Sequence, residues 1–374
     1  MLLHPFRRRR AGYAPLVASE TRGTVLAALA ANLAVAAAKG VGGVVTGSAA
    51  LTSEAAHSVA DTLNEIFLLL SLKRAERPAD RTHPFGYGKE RFFWSLLAAV
   101  GIFVSGAGFS AYQGVQALRE RGGEVPTGRQ FAVIYAVLGV ALVLESASLA
   151  KALTQVRDEA REAHRAPLAF VRRSPDPTVK TVASEDSVAV VGVVIAFVGT
   201  LLHQLTRDEL WDGIASLLIA ALLAYIAFVL GRDTKELLIG EAADPALRLG
   251  AYDLLAQRPE VAGVGELLTM QLGPTSVLVV GRVQLHPGLS ADDVARLSNQ
   301  VEDEIRARHA DVASFFVDTG GASQDEVQTL ADRVRLTVQE VRELDGESAL
   351  PSAFRSRTVR RAAGSGSRLV GSGR

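Results

Sequence analysis

The sequence predicts an α-helical membrane protein, with six transmembrane helices followed by a small cytoplasmic α+β domain in the order α-β-β-α-β. Three observations carry that expectation. Residues 92–118, 187–206 and 213–231 are runs of 27, 20 and 19 positions without Asp, Glu, Lys or Arg. About 20 largely apolar residues suffice to cross a ~30 Å hydrocarbon layer. Hydrophobic residues make up 48% of the 374, a composition that leans toward the membrane class. Finally, Lys and Arg collect in alternate connections, the pattern that fixes orientation in a bilayer.

The elements follow in order. Residues 1–22 form a basic cytoplasmic N-terminus carrying Arg7, Arg8, Arg9, Arg10 and Arg22. Apolar runs at 23–38, 51–72 and 130–150 bring the count of spans to six, interrupted by Glu54, Asp61, Glu65 and Glu145. A transmembrane domain over 23–232 results. The connection after the second span holds six basic residues and that after the fourth holds seven, against none between Thr46 and Ser53. Both termini therefore face the cytoplasm, and a multi-pass protein of the cell (plasma) membrane is expected. The cytoplasmic domain, 233–320, opens with a Pro-started helix at 245–257. Two β-rich runs at 264–272 and 277–286 flank a Gly273-Pro274 turn. Ser290 caps a helix to 309 whose apolar residues Val294, Leu297, Val301 and Ile305 are helically spaced, and 312–317 is the last strand. Residues 321–374 read as an amphipathic helix at 324–344 and a basic disordered tail with six Arg and no acid after Leu350.

Composition also excludes chemistry. Lys+Arg at 40 balance Asp+Glu at 40, so net charge gives no argument for nucleic acid as a partner. There is no Cys, which removes disulfides, thiolate nucleophiles and every Cys-based metal site. A nucleophile elbow, a His-Glu-x-x-His helix and a phosphate-binding loop are all missing, and Gly86-Tyr87-Gly88-Lys89-Glu90 does not complete one. Neither an enzyme nor an ATP-driven pump is expected, and no cofactor.

Function is sought where charge enters hydrocarbon, because an ionisable group there costs several kcal/mol, about 2.5–3.5 for an acid or base at a helix centre. In the second span His57 and Asp61 are four apart, hence stacked on one helix face, with Glu54 and Asn64 as accessory groups at three-residue steps. An imidazole and a carboxylate on adjacent turns hold one side of a tetrahedral divalent metal; a His–Asp contact between packed helices is the plainer alternative. The fifth span supplies Glu185 and Asp186, about 100° apart on a helix, so one of the two faces the second span. Asp186 is taken first and Glu185 second. Glu145 is expected to pair with Lys39, Asp212 to stabilise a helix N-terminus, and His203 to be interfacial.

The run Lys39-Gly-Val-Gly-Gly-Val-Val-Thr46-Gly47-Ser48, followed by Glu54…His57-Ser-Val-Ala-Asp61, resembles the signature of the cation diffusion facilitator (cation efflux) family of zinc transporters. So do Arg77-Pro-Ala-Asp80-Arg-Thr-His83-Pro84-Phe85-Gly86-Tyr87-Gly88-Lys89-Glu90 and Trp211-Asp212-Gly-Ile-Ala-Ser216. The resemblance covers roughly 24–319, and the Glu-Asp pair is similar to the branch with mitochondrial-type members. It implies a homodimeric secondary transporter that exports a divalent cation in exchange for protons. Zinc comes first; manganese, iron or cobalt efflux, or a membrane metal sensor, is the alternative. It implies metal ligands at His57 and Asp61, with Asp186 and Glu185 standing where relatives carry His-x-x-x-Asp. It also implies a second metal site at Asp80 and His83, although Tyr87 replaces the later histidine. Of the cytoplasmic ligands only His286, His309 and Asp318 remain, so that domain is expected to dimerise without a metal cluster.

Overall fold

A computed structural model of the chain describes residues 22–119, 126–162, 165–344, 346, 350, 351 and 354. The basic N-terminus to residue 21 and the basic tail after 354 lie outside them. The first helices are α1 (Arg22–Thr46) and α2 (Ala49–Ala75). Next come α3 (Glu90–Gly101), a π-helical segment (Ile102–Gly108) and α4 (Phe109–Arg119), which run on as one rod. Then follow α5 (Gly128–Glu162), the short α6 (Pro167–Arg173), α7 (Pro177–Thr206) and α8 (Leu210–Ile239). Among the described residues, four rods are long and apolar enough to cross a membrane: Glu90–Arg119, Gly128–Glu162, Pro177–Thr206 and Leu210–Ile239. In α1 the apolar stretch is the shorter Asn32–Thr46. Helix α2 is less apolar than these rods because Glu54, His57, Asp61, Asn64 and Glu65 lie along it.

Those polar groups dictate the packing. The core joins Leu51 and Ala60 of α2 to Ile102, Ile134, Leu138, Val193, Ile219 and Leu223 from the other helices. Phe103, Val143, Leu205, Leu218 and Phe228 point outward and are exposed, an arrangement that suits lipid. Small residues permit the close approach of helices. A Cβ on Gly199 would lie 2.5 Å from that of Ala215, and one on Gly114 would lie 2.7 Å from Leu217. Helix α7 starts where Asp176 caps it, accepting from Thr178 N at 2.9 Å, with Pro177 in the first turn. Arg91 of α3 clamps that cap at 2.8 Å.

Asp212 lies in the first turn of its own helix α8, where a carboxylate is favoured, and it also serves a second helix N-terminus. Buried in α8, it accepts from Ser48 Oγ at 3.0 Å and Ala50 N at 3.1 Å, and so caps α2 from a distance. His203, in the last turn of α7, is buried, with its ring edge-on to Phe131 at 5.7 Å.

The C-terminal unit holds α9 (Pro245–Ala256), β1 (Val261–Gly273), β2 (Ser276–Leu285), α10 (Ala291–Arg308), β3 (Val312–Asp318) and α11 (Gln324–Leu344). Strand order is β1-β2-β3; β1 pairs antiparallel and β3 parallel to β2, so Leu268, Val280 and Phe316 share a row. Leu297, Val301 and Ile305 of α10 fill the core with Val279, Val283 and Phe315, and Ser290 forms its capping box with Asp293. Helix α11 lies on β1, where a Cβ on Gly263 would meet Val327 at 2.9 Å. The last membrane rod runs to Ile239, seven residues past the expected boundary at 232.

Asp212→Ala should strand two buried donors and lower stability by about 1–3 kcal/mol. Thermal unfolding of the detergent-solubilised protein should show a drop of a few degrees, with Asp212→Asn between the two. An unchanged midpoint would remove the capping role.

Candidate metal centre

Ser48 begins α2 by accepting from Leu51 N at 3.2 Å, which sets the helix so that His57 turns into the bundle, 2% exposed. His57 Nδ1 lies 3.4 Å from Asp61 Oδ1, yet the alignment makes no hydrogen bond. Both ring nitrogens of His57 and Asp61 Oδ1 are buried without a hydrogen-bond partner. Buried polar atoms are normally paired, and an unmade bond costs about 1–3 kcal/mol. Three such orphans on adjacent turns suit a group that supplies the missing interactions, as a divalent cation does to a neutral imidazole and a carboxylate.

The fifth-span acids diverge as their spacing requires, and the one that contacts α2 is Glu185, where Asp186 was expected first. Asn64 Nδ2 donates to Glu185 Oε1 at 2.7 Å and Oε2 at 2.6 Å, so Glu185 is the acid that α7 turns toward α2. It lies within Coulombic reach of Asp61. Asp186, one residue on, faces α5 and accepts from Ser148 Oγ at 3.0 Å. Glu54, expected as an accessory ligand, is committed elsewhere: Lys39 Nζ donates to Glu54 Oε2 at 3.1 Å, to Ser58 Oγ at 2.9 Å and to Glu145 Oε1 at 3.4 Å. The expected Lys39–Glu145 pair is thus present, within a larger cluster. Glu65 accepts from Asn32 at 2.6 Å. Ser58 and Ser148 escaped the sequence reading because nothing in their spacing marks them.

The loop pair Asp80 and His83 is exposed and serves a turn. Asp80 Oδ1 accepts from the backbone of Thr82 at 2.9 Å and His83 at 2.8 Å, while Oδ2 accepts from the Tyr87 hydroxyl at 2.7 Å. His83 Nδ1 is 3.8 Å from Asp80, and its ring lies tilted against Tyr87 with centroids 4.3 Å apart. With both carboxylate oxygens engaged, Asp80 closes the turn. The Tyr87 phenol, then the backbone of His83 and Thr82, hold the Asp80 carboxyl below its usual range; the same bond pushes the Tyr87 phenol up. In the C-terminal unit His286 is exposed, His309 packs against Gly250, and Asp318 grips Arg282 at 2.8 Å. Among the described residues no three His, Asp or Glu side chains converge as a ready-made ligand cluster, so the four-residue set is not preassembled. The structure unites His57 with Asp61, and Glu185 with Asn64, on facing helices.

Residues 25–239 match the cation efflux transmembrane domain. The chain is 31% identical over 316 residues to the proton-coupled zinc antiporter SLC30A9, mitochondrial, of Xenopus laevis, covering 81% of this chain and 55% of that protein. It is 36% identical over 194 residues to metal tolerance protein C4 of Arabidopsis thaliana, covering 52% and 42%. It is 24% identical over 305 residues to the manganese efflux system protein MneP of Bacillus subtilis, covering 79% and 95%. The chain spans about half the length of the antiporter relative. That relative's mitochondrial designation gives the expected plasma-membrane location no support.

The Asp80 turn has a defined pH response. A carboxylate held low contributes stability above the ordinary Asp range, near ~3.9, and loses it as pH falls through the depressed value. Tyr87→Phe should raise the Asp80 carboxyl toward its ordinary range, read from its carbon-13 chemical shift against pH. An identical titration in both forms would show that the phenol does not hold this turn.

Proposed function

Because the chain belongs to the cation efflux family, we propose that it is a secondary transporter that moves a divalent metal cation, zinc first, out of the cytoplasm in exchange for protons. It acts as a homodimer and crosses the bilayer six times, with α1 and α2 joining the four apolar rods. Supporting α2 as a span, its outward side chains Val59, Leu63, Ile66 and Leu70 are apolar and exposed while its polar groups turn inward. Residues 23–232 carry transport, and the C-terminal α+β unit joins two copies.

One observation carries this reading: a buried imidazole and a partly buried carboxylate on adjacent turns of α2, with both ring nitrogens and Asp61 Oδ1 lacking partners. The transported ion would be held by His57 and Asp61 from α2 and by Glu185 from α7, with Asn64 orienting the Glu185 carboxylate. Metal needs the neutral imidazole, so protons and metal compete at His57, and a proton gradient can drive release. One nitrogen donor among oxygens accommodates zinc. The same oxygen-rich set favours manganese as a second reading, in line with the manganese efflux relative.

His57→Ala and Asp61→Ala should abolish zinc flux into proteoliposomes under an imposed pH gradient while the protein remains folded. Wild-type flux in both would end the assignment. Glu185→Gln should impair flux more than Asp186→Asn, and the opposite order would show that α7 presents its other face during transport. Zinc affinity should fall as pH is lowered, because protons and metal compete for the imidazole and the carboxylates; a flat curve across the whole range in which the protein stays folded would exclude proton competition at the centre.

A further inference from the structure

A second buried charge cluster stands beside the centre and is not used by it. Lys39 of α1 is 0% exposed, as is Glu54, and the ammonium finds three oxygen acceptors, Glu54, Ser58 and Glu145, matching its three N–H donors. Ser58 directly follows His57 in α2. The charge of Lys39 reaches His57 and is itself felt by Asp61. The other Glu54 oxygen, Oε1, is buried without a partner and presses on α7: a Cβ on Gly192 would lie 2.4 Å from it. Gly192 is seven residues after Glu185, two helical turns along the same face. The cluster therefore touches both helices that carry the centre.

Such a cluster is an expensive way to pack helices. Buried ion pairs gain little net stability over apolar side chains of similar volume. What a fixed charge in an apolar compartment does efficiently is shift the affinity for other charges nearby. We propose that Lys39, Glu54 and Glu145 form an internal counter-charge that sets how tightly the neighbouring centre holds a divalent cation. One ammonium against two carboxylates leaves the cluster net negative, which helps admit the cation. The ammonium nearest His57 limits that pull, so the ion can leave. These are positioning residues and not ligands, and the inference rests on the metal-centre reading above.

The test uses the full chain in detergent with zinc ions as the probe, its affinity measured by chelator competition at fixed pH. Glu54→Gln makes the compartment one charge more positive and should weaken zinc binding at least about tenfold. The double variant Lys39→Met/Glu54→Gln restores the net charge and should return affinity to within about threefold of wild type. A purely structural role predicts the reverse, because the double variant removes more of the packing. Unchanged affinity in Glu54→Gln, or a double variant as weak as the single, overturns the proposal. Should Glu54→Gln fail to fold, Glu145→Gln at the cluster's more open edge, 19% exposed, takes its place. It is expected to bind several-fold more weakly, and unchanged affinity again overturns the idea. Zinc affinity in His57→Ala and Asp61→Ala separates the two claims. If those variants bind zinc as wild type does, the metal-centre reading falls. If they lose zinc while the charge variants leave affinity unmoved, only the counter-charge falls.

Discussion

A helix that carries Glu54, His57, Asp61, Asn64 and Glu65 into a bundle of apolar helices must be surrounded, and most of the helical domain answers to that requirement. Lipid offers no hydrogen bonds, so the polar face of α2 has to find partners on neighbouring helices. It finds Lys39 and Asn32 on α1 and Glu185 on α7, while Asp212 of α8 reaches across to its N-terminus. Small residues let those neighbours come close enough, most sharply where the absent Cβ of Gly192 makes room for Glu54. The apolar residues displaced from the interior then face outward, where lipid accepts them.

Against that background the incomplete satisfaction at His57 and Asp61 is informative. The structure pairs Glu65, Asn64, Glu185, Asp186 and Lys39 individually, yet both ring nitrogens of His57 and Asp61 Oδ1 stay without partners on adjacent turns of α2, as do Ser53 Oγ and Glu54 Oε1 just before them. Stability alone would favour an apolar residue at either position. His57 has no hydrogen-bond partner at either ring nitrogen, and for a buried imidazole function is the economical explanation.

The sequence reading succeeded where the physics is local and faltered where it depends on rotation. Charge-free runs mark α3–α4, α7 and α8, because exclusion of charge is a property of the segment itself. The capping box at Ser290 and Asp293 is similarly local. A 100° angle between Glu185 and Asp186 follows from helix geometry, but which of them faces α2 depends on how α7 is rolled against α5 and α8. Glu54 shares the α2 stripe with His57 by spacing, yet a lysine fifteen residues upstream claims it. Asp212 was rightly read as a capping residue, and the helix it caps became visible only once α2 and α8 were side by side.

The same distinction explains the loop motif from Asp80 to Lys89. The family resemblance implies ligands at Asp80 and His83; by its contacts the motif is a joint. Asp80 and Tyr87 close the turn, and Gly86 takes the positive φ of +84° that L side chains rarely adopt. Gly88 passes so close to β1 that a Cβ would fall 2.4 Å from the Leu272 carbonyl oxygen. Lys89 donates to the Leu238 carbonyl at 3.3 Å, in the last turn of α8, where a cation is favoured. Arg165 holds Asp244 at 2.8 Å beside it, and Gln271 N donates to the Glu241 carbonyl at 2.9 Å. Membrane rod, loop and C-terminal sheet therefore meet at a junction made largely of backbone. Each glycine there is needed because another chain segment occupies the space of its side chain or because the turn demands it. A motif of that kind is constrained throughout its length by turn and junction contacts, and those contacts engage both carboxylate oxygens of Asp80, the residue that the family resemblance offers as a second-site ligand.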